Sequence, residues 1–162
     1  MRSLRTRAVG VAAGCAVLVA LIGGLATDIG PWYASLKRPW WQPPDYLFGP
    51  VWTVIYALCT LSGASAWNAL TDVRARQWLL VLWSANAFLN VLWSLLFFRL
   101  HRPDWAQMEV GLLWLSVAAL IAFSTRAHRA AGLLLWPYLA WVTFAAFLNF
   151  HVVRLNAPFG GA

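Results

Sequence analysis

A chain of 162 residues that is 62% hydrophobic and only 10% charged carries more apolar side chain than one water-soluble core of that size encloses, so lipid is the expected solvent. Its net charge of +7 would suit nucleic acid in a soluble domain, but here Lys and Arg fall in short breaks between long apolar runs. That pattern serves lipid headgroups and topology, and it excludes a nucleic-acid partner.

The first apolar run, Ala8 to Ala26, makes a helix of about 28 Å, close to the hydrocarbon thickness of a bilayer. Arg2, Arg5 and Arg7 ahead of it also describe a secretory signal peptide, but the run is longer than the roughly 7–15 residues of a signal core and reads as a span. Next comes TDIGPWYASLKRPWWQPPD, a long connection in which Pro31, Pro39, Pro43 and Pro44 restrict the backbone while Trp32, Trp40 and Trp41 carry apolar faces. It is expected to fold back as a lid. Apolar runs at about 46–70, 78–98, 108–125 and 132–153 follow, each ended by a short charged or Pro-containing break. The prediction is an all-α membrane protein over residues 1–162, a single bundle of five spans with antiparallel consecutive neighbours and termini on opposite sides. Seven of the 12 Lys and Arg lie on the N-terminal side and five on the other, which leans toward a cytoplasmic N-terminus.

Depth sorts the 12 tryptophans. Trp32, Trp40, Trp41, Trp67, Trp78, Trp105 and Trp136 fall in loops or near span ends, where indole rings sit at headgroup level. Trp52, Trp83, Trp93, Trp114 and Trp141 fall well inside spans, where each N–H needs an acceptor. Around them run helical stripes: Trp52, Tyr56, Cys59 and Gly63 on the second span; Asn86, Asn90, Trp93 and Phe97 on the third; Tyr138, Trp141, Ala145 and Asn149 on the fifth. The amides either tie helices together or meet a ligand, and the aromatic stripes suit a cavity for a planar apolar molecule.

Ordinary catalytic machinery is missing from the sequence. Cys15 and Cys59 stand alone without CxxC spacing, Glu109 falls at the start of the fourth span, and the four Asp residues fall in loops. No metal site and no catalytic residue is expected, although His151 near the end of the fifth span is an imidazole that a haem iron could use.

Three blocks in order, WYASLKRPWWQPP with FGPVWTVIY, NAFLNVLWSLLFF, and WPYLAWVTFAAFLNFHVVRLN, resemble the translocator protein and tryptophan-rich sensory protein (TspO/MBR) family from about Trp32 to Asn156. The resemblance implies a five-helix bundle, often a homodimer, that binds protoporphyrin IX or haem, and in some members sterols, in a cavity capped by the first loop. It implies ligand contacts from Tyr33, Pro43, Trp52, Asn90, Trp141, Ala145 and Leu148, with Trp93 nearby. Porphyrin is expected as ligand, with no cofactor required, and Lys37 and Arg38 are candidates for its propionates or for lipid headgroups. The family's sterol segment keeps Leu148 and Arg154 but has Phe150 and His151 where tyrosine is expected, and the third span has Ser94 and Leu95 where many members carry prolines. The expected location is a bacterial cell membrane. Three functions stay open: binding in porphyrin homeostasis and stress or redox signalling, passive or partner-driven transport of porphyrin or sterol-like lipid, and light-dependent porphyrin breakdown at Trp52 and Trp141.

Overall fold

The computed structural model of the protein describes residues 2–159, with side chains from residue 6 onward. Its elements are α1 (Arg2–Ala26), the short lid helix α2 (Pro31–Ser35), α3 (Phe48–Ala69), α4 (Val73–Ser94), α5 (Pro103–Ala127), the short α6 (Arg129–Leu133) and α7 (Trp136–Asn156). Five of the helical segments are long and apolar enough to cross a bilayer, with α6 and α7 together making the fifth.

Helices run past the apolar segments wherever a local signal allows it. Asp72 caps α4, its carboxylate accepting from the Ala75 N–H at 2.8 Å, so the helix begins at Val73 rather than at residue 78. Pro103 sits in the first turn of α5, where its missing N–H costs nothing. The fifth span is broken instead of continuous, because Pro137 in the first turn of α7 has no N–H to return to the end of α6. At the end of α4 the helix widens over Leu95–Arg99, with the Leu100 N–H reaching the Leu95 carbonyl at 2.9 Å. Ser94 and Leu95 keep their backbone N–H groups in the helix, and the extra residue per turn brings Phe97 and Phe98 to the same side.

α5 is the central post. Ala106, Val110, Leu113, Val117, Leu120 and Ser124 recur at alternating spacings of four and three and are all buried, the seam expected of closely packed helices. Against this seam lie α4 on one side and α7 on the other, and the main core joins it to Ile55, Leu135, Tyr138 and Val142. α1 is the most peripheral span, packing along α3 and more lightly on α4.

The second and third spans depart from the expected antiparallel pairing. α3 and α4 barely approach each other and meet through side chains: the Tyr56 hydroxyl donates to Asn90 Oδ1 at 3.1 Å, and the Trp83 indole lies over Gly63. Large rings on both helices hold the backbones apart, and the space between them belongs to the cavity.

One close approach carries a prediction. A Cβ at Gly132 would lie 1.9 Å from Thr125 Oγ1 and 3.0 Å from the Thr125 Cα, so α5 and α6 can turn on each other only over a glycine. Gly132→Ala is expected to cost about 1–3 kcal/mol as overpacking, read as a lower thermal midpoint in detergent, while Gly111→Ala, which meets open space, is not.

Candidate ligand-binding site

A cavity of about 720 Å³ opens between α1, α3, α4, α5 and α7 beneath the connection from Thr27 to Pro44, within the roughly 300–1,000 Å³ typical of ligand pockets. Its walls are aromatic on three helices. Trp52 of α3 stacks on Tyr56 with centroids 5.4 Å apart and meets Tyr138 edge-on at 6.0 Å. Trp93 of α4 stacks on Phe97 at 5.1 Å. Trp141 of α7 stacks on Phe144 at 5.3 Å and meets Phe48 edge-on at 5.6 Å. Held by neighbours in this way, the rings present fixed faces to the space between them.

Depth alone grouped five tryptophans, and the structure divides them. Trp52, Trp93 and Trp141 line the cavity. Trp114 instead donates from Nε1 to Thr143 Oγ1 at 2.9 Å across the outer seam of α5 and α7, and Trp83 packs over Gly63, outside the cavity lining, between the main core and the small cluster around Ala66 and Leu79.

The amides join the spans into one chain of hydrogen bonds. Tyr56 donates to Asn90 Oδ1; Asn90 Nδ2 donates to the Tyr138 hydroxyl at 3.2 Å; Tyr138 donates to Asn86 Oδ1 at 3.3 Å; Asn86 Nδ2 donates to Ser116 Oγ at 2.8 Å. Four spans are tied through it. Asn86 is therefore helix glue, whereas Asn90 ties helices and also lines the cavity.

Overhead, the lid brings a small polar cluster to the rim. Asp45 accepts from the Tyr33 hydroxyl at 2.9 Å and from Gln42 Nε2 at 3.2 Å, and pairs with the Arg38 guanidinium at 3.0 Å, which also lies over the Tyr33 ring. The ion pair is partly exposed and worth at most about 1 kcal/mol, so the ring and amide contacts matter as much as the charge. Burial, and then the hydrogen bond to Asp45, push the Tyr33 phenol above the ordinary value of 10.0. A raised folded-state pKa means that the neutral phenol stabilises the lid, fully below about pH 10 and progressively less as pH rises through the raised value. Following phenolate absorbance at 295 nm in the protein and in Tyr33→Phe is expected to give a difference titration with its midpoint above pH 10; a midpoint at or below it would contradict this.

Of the residues singled out from the sequence, Tyr33, Arg38, Trp52, Asn90, Trp93, Trp141, Ala145 and Leu148 come together around the cavity. Pro43 and Lys37 do not. Pro43 lines a small outer hollow with Pro39 and Pro44, and Lys37 is used through its backbone, its N–H donating to Asn156 Oδ1 and its carbonyl accepting from Asn156 Nδ2, both at 2.8 Å. His151 does not line the cavity either; it lies edge-on to Trp41 on the far face of α7, with Nδ1 against the Phe147 carbonyl at 2.9 Å. The sterol-like segment is divided between faces, Leu148 on the cavity and Phe150 and Arg154 outside, with the Arg154 guanidinium 5.8 Å from the Phe150 ring centroid.

Sequence reasoning missed α1 as a wall. Ala20, Gly23 and Gly24, with Thr27 just past the end of α1, line the cavity, and their small size at helical spacing was the available signal. It also set Glu109 at the start of a span, whereas α5 begins at Pro103 and leaves that carboxylate buried among helices, outside the cavity and without a hydrogen-bond partner among the described residues. No cluster of three or more His, Cys, Asp or Glu side chains suited to a metal occurs among the described residues.

Five spans and a covering loop define a multi-pass integral membrane protein built around a central aromatic cavity. The chain belongs to the TspO/MBR family, whose model matches residues 11–155. It is 39% identical to the protein CrtK of Rhodobacter capsulatus over 78% of this chain and 79% of that one. It is 35% identical to the tryptophan-rich protein TspO of Chlorobaculum tepidum over 77% and 79%, and 32% identical to the human translocator protein over 80% and 78%.

Proposed function

We propose that the protein binds a tetrapyrrole, protoporphyrin IX or haem, in this cavity and serves porphyrin homeostasis and stress or redox signalling. The observation that carries the reading is the placement of Trp52, Trp93 and Trp141 on three different helices around one apolar space, with a single basic rim residue, Arg38, above it. Flat indole faces match a planar macrocycle, and a guanidinium suits a propionate once it exchanges Asp45 for the ligand's carboxylate. Apart from Arg38 and Asp45 the titratable lining groups are tyrosines, and no nucleophile with an adjacent base occurs among the lining residues, which favours binding over turnover.

The test is a titration of the purified protein in lipid nanodiscs with protoporphyrin IX, following tryptophan fluorescence and the Soret band. Saturable quenching with a shifted Soret band at about one ligand per chain is expected. Quenching that stays linear with added porphyrin, with an unshifted band, would overturn the reading.

A further inference from the structure

The lid is fastened to α4 and α7, is held by Asp45 at the entry to α3, and is free along α1. At its start the Arg99 guanidinium, from the end of α4, lies 3.8 Å from Asp28 and donates to the Leu25 carbonyl. Trp32 stacks on His101 with centroids 4.1 Å apart and meets Phe97 edge-on, and Tyr33 packs on Phe98. On the other side Asn156 of α7 clamps the Lys37 backbone through two bonds, and Trp41 stacks on Phe147 at 5.3 Å. The lid's own contacts here run to the end of α4, to the turn after it, or to α7. Toward α3 the lid is tied through Asp45, the first residue of the turn that opens α3, which holds Tyr33, Arg38 and Gln42; among the described residues, no hydrogen bond, ion pair or ring contact joins positions 29–44 to α1.

That free side is where the cavity wall is thinnest. Every lining residue from α4, α5 and α7 is buried or half-buried, whereas Gly24 of α1, Thr27 just beyond it, Gly49 and Thr53 of α3, and Ile29 and Tyr46 at the lip line the cavity and are exposed. A Cβ built on Gly24 or Gly49 meets nothing within 4 Å, so open space lies beside both. The opening is narrow, since at the adjacent Gly23, on another side of α1, a Cβ would already lie 4.0 Å from the Tyr56 hydroxyl of α3.

We infer that the cavity is entered sideways, through a portal between the C-terminal end of α1 and the N-terminal end of α3, by a ligand already dissolved in the lipid, while the lid stays shut. Small residues on both helices give the width without any backbone movement. The mouth lies at the ends of two spans, next to the exposed Tyr46 ring, which is the depth at which an amphiphile with an apolar body and a charged tip resides in a bilayer. The lid then supplies a fixed polar ceiling in place of a door.

This inference rests on the tetrapyrrole reading, so the experiment uses protoporphyrin IX loaded into nanodisc lipid, with association and dissociation followed by stopped-flow tryptophan quenching. Gly24→Leu and Gly49→Leu, both with room to fold, are expected to slow entry and release alike, each by about tenfold. A residue that merely touched the seated ligand would speed release when enlarged, so slower release is the signature of a rim. Asn156→Ala, which unclamps the lid, is expected to leave both rates within about twofold of the wild type. Unslowed release in both glycine variants, or faster entry and release in Asn156→Ala, overturns the portal. Absence of saturable quenching in the wild type overturns the tetrapyrrole reading itself and is distinguishable from either result.

Discussion

Truncating Trp141 to alanine is expected to weaken protoporphyrin binding by about 30- to 150-fold, or roughly 2–3 kcal/mol. The ring is already oriented by Phe48 edge-on and Phe144 face-on, so little freedom is lost when a ligand lies against it. Trp52, held between Tyr56 and Tyr138, is expected to behave in the same way. Trp114→Ala is the matched control: it removes an indole at similar depth, but one that bonds Thr143 on the outer seam and does not line the cavity. Binding measured in nanodiscs should therefore separate Trp141 and Trp52 from Trp114. Equal losses for all three would mean that aromatic content, and not cavity geometry, sets the affinity. Trp141→Phe keeps part of the stacking face and is expected to fall between the wild type and the alanine variant.

That comparison also marks how far sequence carries. Hydropathy located all five spans because a bilayer of fixed thickness demands a minimum apolar length, and no tertiary information enters that argument. Depth along a span was legible for the same reason. Direction around the helix was legible only where a stripe of unusual residues marked one face, as with Trp52 and Tyr56, or Trp141 and Ala145. In a membrane the outward face is apolar too, so the hydrophobic contrast that tells inside from outside in a soluble helix is weak. Trp114 and Trp83 accordingly looked like Trp141 in sequence and differ from it in space. α1 escaped notice because its share of the wall is Ala and Gly, which announce room without chemistry. Lys37 and Arg38 are neighbours in sequence, yet the turn that leads Arg38 to Asp45 leaves Lys37 joined to α7 through its backbone. The widened turn at Leu95–Arg99 depends on hydrogen bonds shifting register by one residue, a choice that composition does not encode.

Tyr138→Ala is expected to have the largest effect on the fold, about 3–5 kcal/mol from the lost ring alone, because the side chain is 3% exposed within the main core. The hydroxyl adds a second penalty. It accepts from Asn90 and donates to Asn86, and without it two amides at membrane depth lose a partner they cannot replace from water. Tyr138→Phe separates the two contributions by keeping the ring. Hydrogen bonds between membrane helices average well below 1 kcal/mol and reach about 1.7, so two of them sharing one hydroxyl place Tyr138→Phe at about 1–2 kcal/mol. The order wild type, Tyr138→Phe, Tyr138→Ala should appear in thermal midpoints in detergent. Asn86→Leu provides the cross-check from α4, since it removes the same Tyr138 bond together with that to Ser116, which keeps its own bond to the Leu113 carbonyl. If the hydroxyl and the amide act through one shared network, Tyr138→Phe combined with Asn86→Leu costs less than the sum of the two separate changes. Strict additivity would mean that the hydrogen bonds linking α3, α4, α5 and α7 are independent contacts, and Asn90 could then be altered to tune the cavity without loosening the bundle.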